Sequence, residues 1–207
     1  MVDLVLLGGG GHCISILDTL YGNGDYNNIA ILDPQLTPGD YILNSKVYGS
    51  DDCLNELIND GCRNAFVSIG SIKTTDLRRT ISKKVVETGF RLIKVIDNSA
   101  VVSDKSSIAE GVFVGKRAVI NANVNISNNS IINTATVIDH GCQIGEFSHI
   151  ACSSTLCGDV VVGNDTFIGA GTTVIEGRKI GDNVIIGAGS LVLRDIQDNE
   201  VVFGIIK

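Results

Sequence analysis

Residues 132–150 read INTATVIDHGCQIGEFSHI, and every sixth residue of this stretch is isoleucine. The same six-residue frame continues in both directions without an insertion. It places an aliphatic residue at sixteen consecutive positions: Val102, Ile108, Val114, Ile120, Ile126, Ile132, Ile138, Ile144, Ile150, Leu156, Val162, Ile168, Val174, Ile180, Ile186 and Val192. Self-similarity at a fixed short period is the signature of a solenoid protein.

The residue four positions after each aliphatic is a second test of the frame. Most of these residues are small or β-branched, and Arg178 is the one that is plainly out of place. Because side chains alternate between the two faces of a strand, two inward positions per hexad would line the interior of a prism. With three hexads to a coil, the pattern predicts a left-handed parallel β-helix of about five coils.

The first hundred residues lack this period and alternate between strand and helix patterns. Strands are predicted at 4–7, 29–33, 65–70 and 91–97, and helices after the first strand and near 51–59 and 74–88. Such alternation predicts βαβ units and a small Rossmann-like parallel sheet. We therefore expect two domains: residues 1–97, a small Rossmann-like α/β domain, and residues 98–207, the β-helix.

The turn after the first strand reads Gly8-Gly9-Gly10-Gly11-His12. Glycines between a strand and its helix let backbone N–H groups approach a phosphate, and Asp33, at the end of the second strand, could meet a ribose hydroxyl or a base. The glycines could equally only tighten the turn, with Asp33 capping its strand. Cys13 occupies the third glycine position of the dinucleotide fingerprint, so a mononucleotide group fits better than NAD.

His140 is the third residue of its hexad and should point out of the prism, unlike Ile138 and Cys142. An outward histidine beside Asp139 could act as a general base, although a plain surface histidine on a corner would have the same pattern. Gly158 lies eighteen residues further on, one coil away, and should stack against His140 at about 4.8 Å. Its amide could stabilise an oxyanion, or it could be only a corner glycine.

Composition excludes several classes of protein. The net charge of −7 and the lack of a basic stripe argue against nucleic-acid or anionic-membrane binding. The six cysteines form no CxxC pair, and no run reaches transmembrane length, which favours a reducing cytoplasm. A zinc site would need three or four ligands, and only His140 and His149 are available in the β-helix, with spacing that does not place them on one wall. We expect no metal.

The motifs together resemble a known family. The GGGGH turn, the second strand ending LDP, the strand VSIGS, the junction FRLIKVIDNSAVVS and the stretch INTATVIDHGCQIGEFSHIA are similar to bacterial sugar acetyltransferases of the sialic-acid O-acetyltransferase type (NeuD/PglD-like) over nearly the whole chain. The resemblance implies a cytoplasmic homotrimer with active sites between subunits. It would use acetyl-CoA to N-acetylate a nucleotide-linked, UDP-type amino sugar. O-acetylation of sialic acid, or a silent nucleotide-sugar-binding trimer, is the alternative.

The resemblance also implies roles for individual residues. His140, with Asp139, would be the general base, and the amide of Gly158 would hold the thioester carbonyl. The nucleotide diphosphate would bind to Gly8, Gly10, His12, Asp33, Gly70 and Ser71. Asn133 and His149 would line the acceptor and acetyl pocket, and acetyl-CoA would lie along Gly158, Gly169, Gly187 and Ala188. The chain departs from the family at Gly141, where members often carry an acid, at Cys13, and at its closing residues 204–207.

Overall fold

The computed structural model describes residues 2–207, which form two compact units. The first comprises residues 2–70 and Asp76–Val95, and the second comprises Ser71–Thr75 and Ile96–Lys207. A short segment within the first hundred residues thus packs as part of the second unit. None of the helices in residues 2–207 has the length and apolar character that a membrane span requires.

The first unit is an α/β fold built on one six-stranded sheet. In chain order its elements are β1 Leu4–Leu7, α1 Gly11–Asn23, β2 Ile29–Leu32, β3 Tyr41–Ile42, β4 Ser45–Gly49, a 3-10 helix Asp51–Cys53, α2 Leu54–Asn59, β5 Asn64–Val67, α3 Asp76–Glu87 and β6 Arg91–Leu92. The strand order is β3-β4-β2-β1-β5-β6, and every neighbouring pair is parallel except the hairpin β3–β4. The central strands β1 and β2 are entirely buried apolar runs, as parallel sheets covered on both faces require.

The predicted α/β class is confirmed, with two differences in detail. The hairpin β3–β4 was not predicted, because its strands are only two and five residues long. The single strand predicted at 91–97 is in fact two strands. β6 completes the first sheet, and Val95–Ile96 is the first strand of the β-helix.

The second unit is a left-handed parallel β-helix, as predicted. Its strands are two residues long: β7 Val95–Ile96, β8 Val101–Val102, β9 Ser107–Ile108, β10 Phe113–Val114, β11 Val119–Ile120, β12 Asn125–Ile126, β13 Ile131–Ile132, β14 Val137–Ile138, β15 Gln143–Ile144, β16 His149–Ile150, β17 Thr155–Leu156, β18 Val161–Val162, β19 Phe167–Ile168, β20 Thr173–Val174, β21 Lys179–Ile180, β22 Ile185–Ile186, β23 Leu191–Val192, β24 Val201–Val202 and β25 Ile205–Ile206.

Three sheets form the faces of the prism. The first face contains β7, β10, β13, β16, β19, β22 and β24; the second contains β8, β11, β14, β17, β20, β23 and β25; the third contains β9, β12, β15, β18 and β21. In each strand from β7 to β23 the second residue belongs to the six-residue frame and faces the interior. These aliphatics form one continuous core, fully buried through the middle coils.

Polar residues at the other inward position hydrogen-bond to the backbone. The hydroxyl of Ser130 donates to the carbonyl of Gly145, and that of Thr136 donates to Ala151, fifteen residues ahead in each case. The same step is repeated at Ser148, Ser154, Thr166 and Thr172. Buried hydroxyls are therefore satisfied without water, as an apolar interior requires.

The corners of the prism have a fixed backbone conformation. Every sixth residue from Gly111 to Gly189 has a positive φ, between 54° and 72°. Glycine and asparagine occupy eight of these fourteen corners, and the others hold Arg117, Ala135, Phe147, Ser153, Asp159 and Asp165. A steric preference for glycine alone does not decide the turn, since the strand ladder holds other residues in the same conformation.

The coils shorten toward the C-terminal end. Paired residues are eighteen apart up to the pairing of Thr173 with Leu191, then sixteen apart where Ile180 pairs with Ile196, and fourteen apart where Leu191 pairs with Ile205. Arg178 precedes this change. The six-residue frame assigns it to an inward position, where an arginine is out of place, but its side chain turns out, with Nε donating to the Glu176 carbonyl.

Candidate active site

His140 and Gly158 are stacked on the corner between the second and third faces. His140 is exposed and follows β14, while Ile138 and Cys142 on either side are fully buried, as predicted. A Cβ built on Gly158 would lie 2.7 Å from Nε2 of His140 and closer still to Cε1. No side chain larger than hydrogen fits at position 158 while the imidazole keeps this place. The predicted stacking of the two residues is confirmed.

Neither partner of this pair is committed elsewhere. Within residues 2–207, no hydrogen bond is made by the ring nitrogens of His140, nor by the amide N–H of Gly158, although the Gly158 carbonyl accepts the N–H of Gly177. A histidine with uncommitted nitrogens can take up and release a proton, and a free N–H beside it can donate to a developing oxyanion.

Asp139 holds the backbone at this corner. Its Oδ1 accepts the His140 backbone N–H at 2.8 Å and the Asn121 side-chain amide at 2.6 Å. These two donors, the backbone amide first, lower the pKa of Asp139 from its usual range, so the carboxylate is ionised at neutral pH. Asp139 therefore orients the main chain that carries His140 and adds a negative charge nearby.

A second carboxylate lies beside the same corner. A Cβ at Gly141 would overlap Oδ1 of Asp159, one coil further on, and the Asp159 N–H donates to the His140 carbonyl at 2.8 Å. Position 141, where the family often has an acid, thus faces an acid supplied by the next coil. Asp159 was not predicted from the sequence, although it lies eighteen residues after Gly141, a spacing that places the two residues one coil apart.

Asn133 and His149 form a separate group at the edge of the first face. The Thr134 N–H donates to Oδ1 of Asn133 at 2.8 Å, which directs the Asn133 amide nitrogen to Nε2 of His149 at 3.3 Å. Nδ1 of His149 lies 3.1 Å from the carbonyl oxygen of Ser71. Phe167 packs edge-on against the imidazole, with ring centroids 5.2 Å apart.

The two groups lie at different places on the prism. His140 follows a strand of the second face, whereas His149 lies on a strand of the first face and Asn133 just after another. Within one chain, therefore, the predicted base and the predicted acceptor-pocket residues lie on different edges of the prism.

The predicted coenzyme residues other than Gly158 lie on the corner after the first face. Gly169 and Gly187 follow β19 and β22, and each is packed so closely by the next coil that a Cβ would clash. The residue above Gly187 is Phe203, whose ring lies directly on it and is 69% exposed. Ala188 is exposed beside them. Phe203 was missed from sequence because the shortened last coil takes it out of the six-residue frame.

The glycine-rich turn of the first unit is open at only part of its length. A Cβ at Gly8 would lie 2.5 Å from Ile69, and one at Gly9 would strike Leu36, whereas Gly10 has open space around it. Gly10 caps the N-terminus of α1 without a side-chain hydrogen bond. Gly8 is therefore a packing glycine, and the accessible backbone begins at Gly10.

Asp33 is used within the chain. Its Oδ2 accepts the Gly9 N–H at 2.7 Å and its Oδ1 accepts the Gln35 N–H at 2.8 Å. It thus holds the glycine-rich turn against the end of β2, which is the structural alternative noted from the sequence.

His12 and Gly70 are brought together at the carboxyl ends of β1 and β5. A Cβ at Gly70 would lie 3.5 Å from Cβ of His12. β1 has β2 on one side and β5 on the other, so the strand order reverses here. Crevices at such switch points are where open α/β sheets bind ligands. Ser71, the next residue, packs with the second unit. No group of three or more metal-ligating side chains occurs within residues 2–207.

Comparisons with known proteins give consistent similarities. Residues 3–85 match the family model described as PglD N-terminal domain, and residues 159–194 match that of the bacterial transferase hexapeptide repeats. A search of curated proteins gives no match.

Two solved structures are similar over almost the whole chain. A mutant of perosamine N-acetyltransferase from Caulobacter crescentus, in complex with CoA and GDP-perosamine, is 36% identical, with 99% of this chain and 94% of that chain covered and a TM-score of 0.91. The acetyltransferase domain of PglB from Neisseria gonorrhoeae, in complex with acetyl coenzyme A, is 30% identical, with 98% and 96% covered and a TM-score of 0.91. WeeI from Acinetobacter baumannii, 17% identical over 99% and 97% of the two chains, shares the fold with a TM-score of 0.85.

Proposed function

Because the chain belongs to the bacterial sugar acetyltransferases with hexapeptide repeats, it is an acetyltransferase that uses acetyl-CoA, and we propose that its acceptor is the amine of a nucleotide-linked amino sugar. The observation that carries the proposal is the stacking of His140 on Gly158. An exposed imidazole with uncommitted nitrogens lies directly beside an amide N–H that nothing else uses.

This pair supports direct transfer of the acetyl group. The sugar amine attacks the thioester carbonyl, forming a C–N bond while the C–S bond breaks. His140 takes the proton that the amine loses and returns it to the leaving thiolate of CoA. The Gly158 N–H donates to the carbonyl oxygen as negative charge develops there. Asp139 holds the main chain at this corner by accepting the His140 backbone N–H.

The nucleotide is placed at the carboxyl edge of the sheet in the first unit. Gly10 and the N-terminus of α1 would present backbone N–H groups to a phosphate, with His12 and Gly70 beside them. Gly8 packs against Ile69 and Asp33 accepts the Gly9 N–H, so both residues hold the turn in place. The Caulobacter relative binds GDP-perosamine, so a GDP-linked amino sugar is the first acceptor to test, ahead of the UDP-linked sugars expected from the sequence.

A homotrimer would complete the site. The outward residues of the second face are all apolar or threonine: Val101, Val119, Val137, Thr155, Thr173, Leu191 and Ile205. Those of the third face are Ser107, Asn125, Gln143, Val161 and Lys179. Packing the second face against a neighbouring copy would bury its apolar residues and bring His140 of one copy toward the His149 group of another.

An assay of CoA release tests the activity. GDP- and UDP-linked amino sugars should release the CoA thiol from acetyl-CoA, and mass spectrometry should show an acetamido product. Release only with free or CMP-linked sialic acid would replace N-acetylation by O-acetylation. No release with any of these acceptors would support a silent nucleotide-sugar-binding protein and overturn the proposal.

A further inference from the structure

The segment Ser71–Thr75 is fixed to the wall of the β-helix by hydrogen bonds whose direction is determined. A carbonyl oxygen can only accept, so Nδ1 of His149 must carry the proton that it shares with Ser71. The amide nitrogen of Asn133 can only donate, so Nε2 of His149 must be unprotonated. The chain of donors therefore runs from the Thr134 amide through Asn133 and His149 to Ser71.

The far end of the segment is held independently. The Thr75 hydroxyl donates to Oδ1 of Asp165, a corner residue with φ 58° on the coil that carries Phe167. Asp165 lies one coil beyond Phe147, which is itself 6% exposed. Two anchors four residues apart thus hold the segment at both ends.

Packing between the anchors is close. The space enclosed by the segment and the side chains of Phe147, His149 and Phe167 is about 10 Å³, at the lower limit for a single water molecule. The outer side chains of the segment, Ile72, Lys73 and Thr74, are exposed. The hydrogen bonds therefore hold the segment at the Ser71 carbonyl and the Thr75 hydroxyl, and the three residues between them stay exposed.

The segment is the last part of the connection from β5 to α3, and it begins directly after Gly70. Its first residue thus follows the sheet edge at which the nucleotide is placed. Both ring nitrogens of His149 are used in holding it, so this histidine is not available for proton transfer.

We propose that His149 is a positioning residue that, with Asn133 and Asp165, clasps Ser71–Thr75 to the β-helix and so holds the backbone after Gly70 in place for the nucleotide part of the acceptor. This rests on the proposed function, because it assumes that the nucleotide binds at that edge. It assigns His149 a different task from the acceptor and acetyl pocket implied by resemblance.

Hydrogen exchange of the full-length protein without substrates tests the clasp itself. Amide exchange in residues 71–75 should be about tenfold faster in His149→Ala and in Thr75→Val, since each removes one anchoring hydrogen bond. Thr80→Val, which removes an exposed hydroxyl that bonds to its own helix, is the matched control and should leave the segment unchanged. Equal protection in all variants would overturn the proposal, whatever the activity of the enzyme.

Replacement by isosteres separates a positioning role from a general loss of structure. In His149→Asn the amide nitrogen lies where Nδ1 was and can still donate to Ser71, whereas His149→Gln keeps only the acceptor at the Nε2 position. Asn should therefore restore protection and Gln should not. Nitrogen-15 shifts should show the Nδ1–H tautomer of His149 in the wild type, and an Nε2–H tautomer would contradict the hydrogen-bond chain.

Kinetics test what the clasp does for the reaction. In His149→Ala and Thr75→Val, KM for the nucleotide sugar should rise about tenfold, while KM for acetyl-CoA and kcat stay within about twofold. A loss confined to kcat would overturn the positioning role. A wild-type enzyme inactive with every amino sugar would sink the proposed function, and the exchange result would then still report on the clasp.

Discussion

The two histidines of the β-helix differ in how their nitrogens are used. His140 is exposed, its ring lies against Gly158, and its ring nitrogens make no hydrogen bond within residues 2–207. His149 is half-buried, with one nitrogen facing an amide donor and the other a carbonyl. The same residue type on one solenoid is thus left without hydrogen bonds at a corner and is engaged in two hydrogen bonds on a face, and the proposed roles of the two histidines follow from that difference.

A charge placed on the second face tests the assumption that both histidines serve one active site between subunits. Val137→Glu places a charge among the outward apolar residues, so the trimer should dissociate and acetyl transfer should fall to background. Light scattering should change from a mass of roughly three chains to one. Gln143→Glu on the third face is the matched control and should leave both mass and activity unchanged. A wild-type monomer that is fully active would refute the shared site.

Removing the free imidazole should cost the most among single-site changes in the intact trimer. His140→Ala is expected to lower kcat by about 10²–10⁴ with little change in either KM, since the general base is lost and no binding contact goes with it. Steady-state assays varying each substrate measure this. Turnover equal to the wild type would show that the amine needs no base from this corner.

The glycine under the ring should matter nearly as much. Gly158→Ala puts a Cβ less than 3 Å from the imidazole, so His140 must swing away from the amide. We expect kcat to fall about 10- to 100-fold, part of the contribution that a base and an oxyanion donor make together. Because His140 is exposed and can move, the melting temperature should change little. Asn128→Ala, an exposed residue on another corner, is the control, and equal kcat in both variants would contradict the role of Gly158.

Mixed trimers distinguish one shared site from two separate ones. His140→Ala and His149→Ala chains refolded together in equal amounts should regain about a quarter of wild-type activity at low nucleotide sugar. A shared site needs His140 from one copy and His149 from its neighbour, and each of these is intact in half of the copies. Activity no higher than the mean of the two pure variants would show that both histidines serve sites within a single copy.

The smallest effect concerns the thiol next to the corner. Burial raises the pKa of Cys142 to about 11, so almost none of it is thiolate at pH 8. Alkylation of the native protein at pH 8 should label the partly exposed Cys152 and Cys157 well before Cys142, as followed by mass spectrometry. Rapid labelling of Cys142 would mean that the corner opens and that His140 is not held as described.

Most of the second unit could be predicted because its rule is local and repeats. The frame that places Ile138 and Cys142 inside also turns His140 out and sets Gly158 one coil away. Arg178 breaks the pattern because the rule assumes coils of constant length, whereas the coils shorten just after it. Phe203 was missed for the same reason.

The contacts of the first unit and of the Ser71–Thr75 segment were beyond prediction. The pattern around Asp33 suits either a ribose contact or a turn support, and only the 2.7 Å bond to the Gly9 N–H shows which contact is made within the chain. Ser71 and His149 are seventy-eight residues apart, and nothing in the residues around either one signals the other. Periodicity predicts which way a side chain points, but not which distant backbone atom it meets.

The positive-φ corners offer positions at which substitutions could stabilise the protein. Arg117, Ala135 and Ser153 each hold a conformation that costs a side-chain-bearing residue about 1 kcal/mol, yet the corners at Asn123, Asn183 and Gly171 show that cheaper residues fit. Converting the first three to asparagine or glycine touches no residue assigned to catalysis or to binding. The solenoid could thus be made more heat-resistant for industrial glycan synthesis without redesigning its chemistry.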